Sequence, residues 1–592
     1  MKIALCMIIK DDTEVEMLDR CLDSVQNYVD GVFLTVTRPN QKNVAECAKR
    51  RGLHLSEFKW DMGDTPWINW DFSKARNFNW SQVPKGYDWM FWLDTDDIFV
   101  GGEYLRDVAE TSLNAGTDTV FFSYWYGCTF KGEPSLDNLV TVDIEHLRER
   151  LIRPNITTWK GKLHETPVPL EGVKIRHSPY SYDANDRPIA VMHTLSIAES
   201  KEKLDRNKTI LELELKEQGK DPDPRTLLYL MKIYTELDGM DDKIIEYGKV
   251  YLEKSGWDEE RMTCCEMVGN AYAKKGEYKT AVDYYLRGIA EWPNQPLIYL
   301  RLAQTLFNMK KYRDCRHWLK IGMDIPVNNS STLMNNYTGM KMLASELLLK
   351  IALQVEKNTK KSVEAAKLLY GVSPTPEHAS NVEYLENADR LNDACKNVDE
   401  LVTYLEDIGN DYLVPAVLDT LPVAISSQPF AIKARQRNAI PKKWGKDEIC
   451  YFANFGGPHF EKWDGNSLKK GIGGSETAVI RLSEEWVKQG YKVAVYGDPE
   501  KPCTINGVVY LPWYWFNSQD KFNIFIQWRG WGMCNKIKCK KFMVDLHDIF
   551  AGIDVDESML PDIDRFMVKS QYHRDLAKNI PDYKFKIISN GI

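Results

Sequence analysis

The sequence predicts a multidomain α/β protein in which a helical repeat region separates two segments of alternating strands and helices. A chain of 592 residues is too long to fold around a single hydrophobic core, which favours several domains. Strand and helix patterns alternate over residues 1–200 and again over 446–592, whereas residues 201–407 show helical patterns with few strand signals. A stretch rich in proline and lysine, 408–445, is predicted to be a linker.

The N-terminal segment alternates strands and helices in the way that is typical of a doubly wound, mostly parallel sheet. Its first elements are a strand "KIALCMII", an amphipathic helix "EVEMLDRCLDSVQNYV", a strand "GVFLTVT", a helix "NVAECAKRRG" that ends at Gly52, and a strand "LHLSEF". Sheets of this kind bind their ligands at the carboxyl ends of the strands. A ligand site is therefore expected where these strands end.

One such strand end is acidic. In "DWMFWLDTDD" an apolar run from Trp89 to Leu93 leads directly into Asp94, Asp96 and Asp97. Like charges this close repel each other, and an unpaired buried carboxylate is costly, so a positive group is expected beside them. Mg²⁺ and Mn²⁺ prefer carboxylate oxygens and bridge to phosphates, which makes Asp94 and Asp96 candidate metal ligands. The alternative is a solvated acidic turn.

Three motifs in this segment resemble one family. "CMIIKDDTEVEMLDRCLDSV", "DFSKARNFNW" and "DWMFWLDTDD", in this order and spacing, resemble a family 2 glycosyltransferase of the GT-A fold over roughly residues 1–200. The resemblance implies that Lys10, at the first strand end, and Arg76 and Asn77 face the nucleotide diphosphate. Arg76 also suits a phosphate clamp by its own chemistry, and the alternative for it is a surface salt bridge.

The same resemblance implies that Asp94 faces the nucleotide sugar and that Asp96 binds the Mn²⁺ or Mg²⁺. A uridine diphosphate sugar is the first choice of donor. The chain departs from the family after the second strand, where relatives carry an acidic segment for the base or ribose. Here the sequence is "TVTRPNQ", residues 35–41, and the identity of the nucleotide stays open.

Further along, "RLIRPNITTWKGKLHETPV" and "AVMHTLS" resemble the His-Glu segment and the later histidine of repeat-bearing members of this family. This implies that His193 completes the metal shell, since imidazole also ligates Mn²⁺. Glu165 is the candidate general base, because an inverting transferase needs a carboxylate that removes the proton of the acceptor hydroxyl. A core or structural role is the alternative for each.

The helical region contains an internal repeat. Tyr272, Tyr278 and Ala281 recur 34 residues later as Leu306, Tyr312 and Cys315, and an earlier unit starts at "LLYLMKIY". This period, with small and aromatic residues at packing positions, resembles tetratricopeptide repeats. Such repeats are usually binding or spacer surfaces, which predicts a protein partner for them.

The C-terminal segment has a glycine-rich turn, Gly471 to Ser475, that opens a helix after a strand and can face a ligand with its backbone N–H groups. With "YKVAVYG", "LHD" and "NGI" it resembles the N-terminal half of a family 4 glycosyltransferase of the GT-B fold. The second half expected of such enzymes would follow Ile592, so the segment is expected to be truncated and inactive alone.

The composition bears on nucleic-acid binding, on the cellular compartment and on membrane insertion. A net charge of −8 and a pI near 5.8 argue against nucleic-acid binding. The twelve cysteines follow no disulfide or zinc pattern, which predicts reduced thiols and a cytoplasmic protein. No apolar run approaches the roughly 20 residues that span a bilayer, so no transmembrane segment is expected.

The sequence thus predicts a metal-dependent glycosyltransferase that moves a sugar from a nucleotide diphosphate to a hydroxyl of a glycan or glycoconjugate. Asp96 and Glu165 are its predicted catalytic residues. Two other functions are compatible with the sequence. A nucleotidyltransferase could use the same acidic metal site, or the chain could be a non-catalytic scaffold whose repeats bind a partner.

Overall fold

The computed structural model describes residues 1–60, 70–180, 189–195, 201–326, 335–453, 461–547, 555–577 and 580–589. The chain divides into two compact units, Met1–Leu385 and Glu386–Ile592. The sheet segment and most of the repeat region thus belong to one unit. The boundary between the two units falls inside the long helix Pro376–Asp407.

The first unit begins with a ten-stranded sheet, flanked by helices, and a separate two-stranded hairpin. Its strands are β1 (Ile3–Ile9), β2 (Gly31–Val36), β3 (His54–Glu57), β4 (Trp89–Trp92), β5 (Asp97–Val100), β6 (Thr119–Phe130), β7 (Leu139–Ile152), β8 (Thr157–Lys160), β9 (Thr166–Pro169), β10 (His177–Tyr180) and β11 (Ala190–His193). The helices of this part are α1 (Val15–Val25), α2 (Lys42–Arg51), α3 (Phe72–Ser81) and α4 (Leu105–Asn114).

The main path of the sheet runs β3-β2-β1-β4-β7-β6-β11-β5, with β10 beside β6. Strands β1 to β4 pair in parallel, as the sequence predicts. The other half is mixed and corrects the prediction of a mostly parallel sheet. The reason is the long β6–β7 hairpin, in which β7 runs antiparallel to both β6 and β4.

Local sequence explains the parallel half. All residues of β1 except Ile8 are buried, because helices cover both faces of a parallel sheet and leave no solvent side. On α1 the buried residues Leu18, Cys21, Leu22 and Val25 recur at helical spacing and form one apolar face. Helix α2 ends at Gly52, whose φ of 70° lies in the left-handed region that favours glycine.

The helical part of the first unit resembles tetratricopeptide repeats. Its elements are α5 (Lys201–Gln218), α6 (Pro224–Thr235), α7 (Asp241–Lys254), α8 (Asp258–Lys274), α9 (Tyr278–Glu291), α10 (Pro296–Asn308), α11 (Tyr312–Asp324), β12 (Asn335–Asn336), α12 (Tyr337–Lys350), α13 (Thr359–Val372) and α14 (Pro376–Asp407). The pairs α6–α7, α8–α9 and α10–α11 coincide with the three repeats read from the sequence. Ala281 and Cys315, which the repeat aligns, are both fully buried.

The repeats are joined to the sheet. Strand β12 pairs antiparallel with β7, Asn335 opposite Glu145 and Asn336 opposite Ile144. Leu163, from the loop between β8 and β9, belongs to the same core cluster as the α5 and α6 side chains. The helical region therefore supports the loops at one end of the sheet.

The second unit is an eight-stranded sheet in the order β15-β16-β14-β13-β17-β18-β19-β20, parallel except for β15. Its elements are α15 (Val414–Asp419), α16 (Val423–Ser426), α17 (Pro429–Asn438), β13 (Glu448–Phe452), α18 (Gly474–Lys488), β14 (Lys492–Gly497), β15 (Cys503–Ile505), β16 (Val508–Pro512), β17 (Lys521–Trp528), β18 (Lys538–Asp545), β19 (Arg565–Val568), α19 (Gln571–Asp575) and β20 (Phe585–Ile587). The stretch predicted as a linker, 408–445, contains the three short helices α15 to α17, which share a small core with the end of the long helix Pro376–Asp407.

All twelve cysteines are free thiols. Within the described ranges, no helix has the length and apolar character needed to cross a membrane.

Candidate active site

A cleft of about 560 Å³ lies at the carboxyl ends of the central strands of the first unit. Lys10 follows β1, Thr37 follows β2, Asp94 follows β4 and His193 ends β11, and all four line the cleft. This is where an open α/β sheet is expected to bind its ligand. Its volume falls in the range of small-molecule sites.

A tight turn between β4 and β5 presents the three carboxylates predicted from the sequence. The Asp97 backbone N–H donates to the Asp94 carbonyl at 3.1 Å, and the Asp94 N–H donates to Asp97 Oδ2 at 3.1 Å. Asp97 is fully buried at the start of β5, whereas the Asp96 side chain is 21% exposed and reaches the cleft. The turn thus buries the Asp97 carboxylate and leaves that of Asp96 at the cleft.

Asp96, Asp97 and His193 form the group best placed to hold a metal ion in the described part of the chain. Each offers one ligand atom, and these atoms lie within 4.8 Å of one another. His193 Nδ1 is 3.8 Å from Asp96 Oδ1 and 3.6 Å from Asp97 Oδ1. The antiparallel pairing of β5 with β11 sets His193 directly opposite Asp97. Carboxylate oxygens with one imidazole suit Mn²⁺ or Mg²⁺.

This group differs from the sequence prediction in one member. The prediction joined Asp94 with Asp96 and His193, whereas the structure puts Asp97 beside them. Asp94 Oδ1 instead lies 2.7 Å from Arg76 Nη2. The strand reversal at Thr95 separates the carboxylates in this way, and a linear motif does not show it.

The electrostatics of the turn favour a cation. Burial raises the pKa of Asp96 to about 7, and the negative charges of Asp97 and Asp94 act in the same direction. Burial also opposes ionisation of Asp94, but Arg76 and Arg150 outweigh it and lower the pKa of Asp94 to about 2. A divalent cation beside Asp96 would stabilise its ionised form against both burial and the neighbouring carboxylates.

The pKa of His193 is raised for a related reason. Burial alone lowers it, but the carboxylate of Asp97, 3.6 Å from Nδ1, and the charge of Asp96 outweigh burial. Tyr126 stacks on the imidazole with ring centroids 5.2 Å apart. The ring is therefore held against the carboxylates and fixed in orientation.

Arg76 is an internal ion-pair residue and not the surface salt bridge considered as its alternative. Its side chain is 7% exposed, with Nε 2.5 Å from Glu165 Oε1 and Nη2 2.7 Å from Asp94. The guanidinium also lies 4.6 Å from the ring centroid of Trp92 and 5.0 Å from that of Trp159. Arg76 thus ties the predicted base to the acidic turn, within the cleft wall.

The loop that carries Glu165 is held by the first repeat helices. His164 has a φ of 53°, an uncommon value for a residue with a side chain, and its ring stacks on Tyr229 of α6 at 4.2 Å. Arg225 of α6 donates through Nη2 to the His164 carbonyl at 3.0 Å. The repeat region therefore positions a candidate catalytic residue, which the sequence did not indicate.

Of the remaining predicted ligand contacts, Lys10 lines the cleft and Asn77 does not. The Lys10 side chain is 46% exposed, 3.6 Å from Asp11. Asn77 Nδ2 donates to the Trp159 carbonyl at 2.9 Å, and its Oδ1 accepts from the Trp159 N–H at 2.9 Å. Asn77 fastens β8 to α3 in this geometry, and its contact with a diphosphate stays a prediction.

Replacing Asn77 with alanine tests these two roles. We expect a loss of about 1–3 kcal/mol in the free energy of unfolding, because the substitution leaves buried backbone groups of β8 without partners. Urea denaturation of the variant measures the loss of stability. Asn138→Ala is the control, since the hydrogen bond from the Asn138 side-chain amide to the Glu133 carbonyl is exposed. An unchanged denaturation midpoint for Asn77→Ala would contradict the structural role.

Three residues of the site were not singled out from the sequence. Arg150 Nη1 is 3.2 Å from Asp97 Oδ2, and its guanidinium lies 3.9 Å from the Trp92 ring centroid. The Tyr124 hydroxyl donates to Asp97 Oδ1 at 3.2 Å. Arg148 lines the cleft beside them. The alternation of arginines in "LRERL" is a usable signal, because residues two apart on a strand share a face.

The second unit has its own polar cluster where its strands end. Asp545, the last residue of β18, accepts from Lys569 Nζ at 2.6 Å, from the Tyr451 hydroxyl and from His547 Nε2 at 2.9 Å. Burial opposes ionisation of Asp545, but the His547 and Lys569 contacts outweigh it and lower its pKa. In the predicted glycine-rich turn, Ser475 Oγ accepts from Arg529 at 2.9 Å.

Comparisons with solved structures find likeness to repeat proteins. No protein-family model and no curated protein matches the chain. A crystal structure of MamA matches 31% of this chain and 98% of its own length, at 16% identity and a TM-score of 0.23. A thermophilic TPR protein of Thermus thermophilus matches 31% of this chain and 91% of its own, at 15% identity and a TM-score of 0.24.

The first TPR of RPAP3, solved with the HSP90 peptide SRMEEVD, matches 22% of this chain and 97% of its own, at 17% identity and a TM-score of 0.19. Likenesses of this degree carry no functional argument. The repeat resemblance depends instead on the paired helices and their 34-residue period.

Proposed function

We propose that the first unit is a metal-dependent glycosyltransferase that moves a sugar from a nucleotide diphosphate to a hydroxyl of a glycan or glycoconjugate. The observation that carries the proposal is that Asp96, His193, Arg76 and Glu165 line one cleft at the strand ends, with buried Asp97 directly behind Asp96 and His193. The order of the sequence motifs, which resembles a GT-A family 2 enzyme, supports the same reaction.

The metal-binding group and Lys10 are proposed to bind the diphosphate of the donor. Asp96, Asp97 and His193 would hold a divalent cation, which when bound would supply Lewis acidity and offset the negative charge of the diphosphate. Lys10, exposed at the cleft, adds a positive charge for the phosphates. Arg150 and Tyr124 hold Asp97 in place, so the geometry of the group depends on β6 and β7 as well as on the turn.

In the transfer itself, the acceptor oxygen attacks the anomeric carbon of the sugar while the bond from that carbon to the diphosphate oxygen breaks. Glu165 takes the proton of the acceptor hydroxyl. Arg76 fixes the Glu165 carboxylate through Nε at 2.5 Å and so orients its second oxygen. One displacement inverts the anomeric configuration, and the products are a glycoside and a nucleoside diphosphate.

The second unit is proposed to resemble the N-terminal half of a GT-B glycosyltransferase. Its parallel sheet and the cluster of polar side chains at its strand ends support that assignment. We assign the transfer reaction to the first unit.

A product assay tests the proposed reaction. The full-length protein is incubated with common nucleotide sugars and Mn²⁺, and the released products are separated by ion-exchange chromatography. Release of a nucleoside diphosphate that stops on addition of a chelator supports transfer or slow donor hydrolysis. In a parallel incubation with a nucleoside triphosphate, a sugar phosphate and Mn²⁺, release of pyrophosphate would instead indicate a nucleotidyltransferase. No turnover of any donor, with metal present, would favour the scaffold.

A further inference from the structure

A second cleft of about 480 Å³ lies between the sheet and the first repeat helices, all within the first unit. We call it the junction cleft and define it by side chains of β7, β8 and α6. These are His146, Arg148, Thr157, Arg225, Tyr229 and Lys232. Arg148 also lines the candidate active site, so the two clefts adjoin.

Arg148 and Lys232, two of the three cations that line the junction cleft with Arg225, form no close ion pair in the described part of the chain. Among described residues, neither Arg148 nor Lys232 has a carboxylate within 4.0 Å. Arg148 donates through Nη2 to the Glu165 carbonyl at 3.2 Å, and its buried Nε has no hydrogen-bond partner. Lys232 Nζ lies 4.8 Å from the Tyr229 ring centroid. Arg150, two residues from Arg148 on β7, is by contrast paired with Asp97.

The acidic residues at the cleft already have donors. Glu149 Oε1 accepts from the Thr166 hydroxyl at 3.0 Å, and Glu260 Oε2 accepts from the Tyr251 hydroxyl at 2.7 Å. Neither carboxylate forms an ion pair with a lining cation in the described structure. A partly buried cation is stable when an anion pairs with it, so the arrangement has room for an anionic ligand.

Two uncharged polar groups that line the cleft are buried without partners. His146 is 5% exposed and its Nδ1 has no hydrogen-bond partner, and Thr157 is 9% exposed with a partnerless Oγ1. Buried polar atoms are nearly always hydrogen-bonded, so these two atoms leave unused hydrogen-bonding capacity in the cleft wall. Burial, Arg148 and Lys232 lower the pKa of His146 to about 3, which keeps the imidazole neutral.

The rim offers a flat apolar face beside these polar groups. Trp257 lines the junction cleft and is 46% exposed. An aromatic face of this kind packs against the apolar face of a sugar ring, while the cations take an acidic substituent. The combination of cations, polar groups and one exposed ring suits an acidic sugar better than a bare anion.

We propose that the junction cleft binds an acidic sugar of the acceptor, with Lys232 and Arg148 pairing its oxyanion and Trp257 packing on its ring. The oxyanion is either a carboxylate or a phosphate. The acceptor role rests on the proposed transferase function. It is inferred because Arg148, which lines both clefts, donates a hydrogen bond to the Glu165 carbonyl in the active site. The binding of an acidic sugar does not depend on that function.

Calorimetric titration of the full-length protein tests the proposal, with glucuronate, glucose 6-phosphate and glucose as probes. We expect at least one acidic sugar to bind at least tenfold more tightly than glucose, and the better of the two identifies the oxyanion. Lys232→Met should weaken that binding at least fivefold, and Lys232→Arg should restore it. Lys243→Met is the matched control, since Lys243 lies outside the cleft and faces Glu212 at 3.6 Å.

The outcomes separate this proposal from the transferase. Equal affinity for glucose and both acidic sugars, or wild-type affinity in folded Lys232→Met, would overturn the acidic-sugar site. An acidic peptide that binds at Lys232 while neither acidic sugar does would also overturn it. Binding that depends on Lys232, in a protein that releases no nucleoside diphosphate from any donor, would support the site and overturn the transferase.

Discussion

Replacing Asp96 with asparagine is expected to lower metal-dependent release of nucleoside diphosphate by roughly a thousandfold or more. Asparagine keeps the shape of the side chain but removes the charge that a divalent cation needs. The Asp96 side chain reaches the cleft and is not among the core residues, so folding should be preserved. Initial rates with a saturating donor and Mn²⁺ measure the effect.

The stability of this variant provides an internal control. Because burial and neighbouring carboxylates raise the pKa of Asp96 to about 7, its ionised form destabilises the folded protein, and this penalty grows as pH rises from about 4 through 7. In chelator-treated buffer at pH 8, Asp96→Asn should therefore unfold at the same or a higher temperature than wild type. Asp242→Asn, at a side chain 85% exposed on α7, should change neither rate nor stability. Full activity of Asp96→Asn with Mn²⁺ would contradict the metal role.

Replacing Glu165 with glutamine is expected to lower kcat for transfer to an acceptor by roughly 10²–10⁴-fold, the usual contribution of a general base. Glutamine can still accept the hydrogen bond from Arg76 through its amide oxygen, so the loop should keep its position. The KM for the donor should change little, because Glu165 acts on the acceptor hydroxyl. Steady-state kinetics with donor and acceptor varied separately measure both constants.

Glu171→Gln is the matched control for this prediction, since Glu171 is exposed in the turn after β9. It should leave kcat and KM unchanged. A Glu165→Gln variant that keeps the wild-type kcat would show that another group takes the proton. A variant with a raised donor KM and an unchanged kcat would place Glu165 in donor binding instead.

The sequence was most informative where the interactions are local. The apolar run into Asp94 and Asp96 predicted a strand that ends in an acidic turn, and the structure has this arrangement. The 34-residue period likewise predicted paired helices, and the structure has the pairs α8–α9 and α10–α11 in this part of the chain. Both signals arise from residues close in the chain, where periodicity and turn chemistry determine the geometry.

What the sequence could not predict depends on pairing across long separations. Asp97 joins His193 because β5 pairs with β11, although the two residues are 96 positions apart in the chain. Arg150 reaches Asp97 only because β7 inserts between β4 and β6. The support of Glu165 by the repeats depends on Arg225, which follows it by 60 positions. Strand order and such contacts leave no periodic pattern in a single sequence.

The most direct test of the central claim is calorimetric titration of Mn²⁺ into the full-length protein, with and without uridine diphosphate. The proposal predicts one Mn²⁺ site in wild type that binds more tightly when the diphosphate is present, because the cation and the phosphates occupy the same cleft. Asp96→Asn should lose both the site and the coupling. Equal Mn²⁺ binding and equal coupling in wild type and folded Asp96→Asn would contradict the assignment of this cleft.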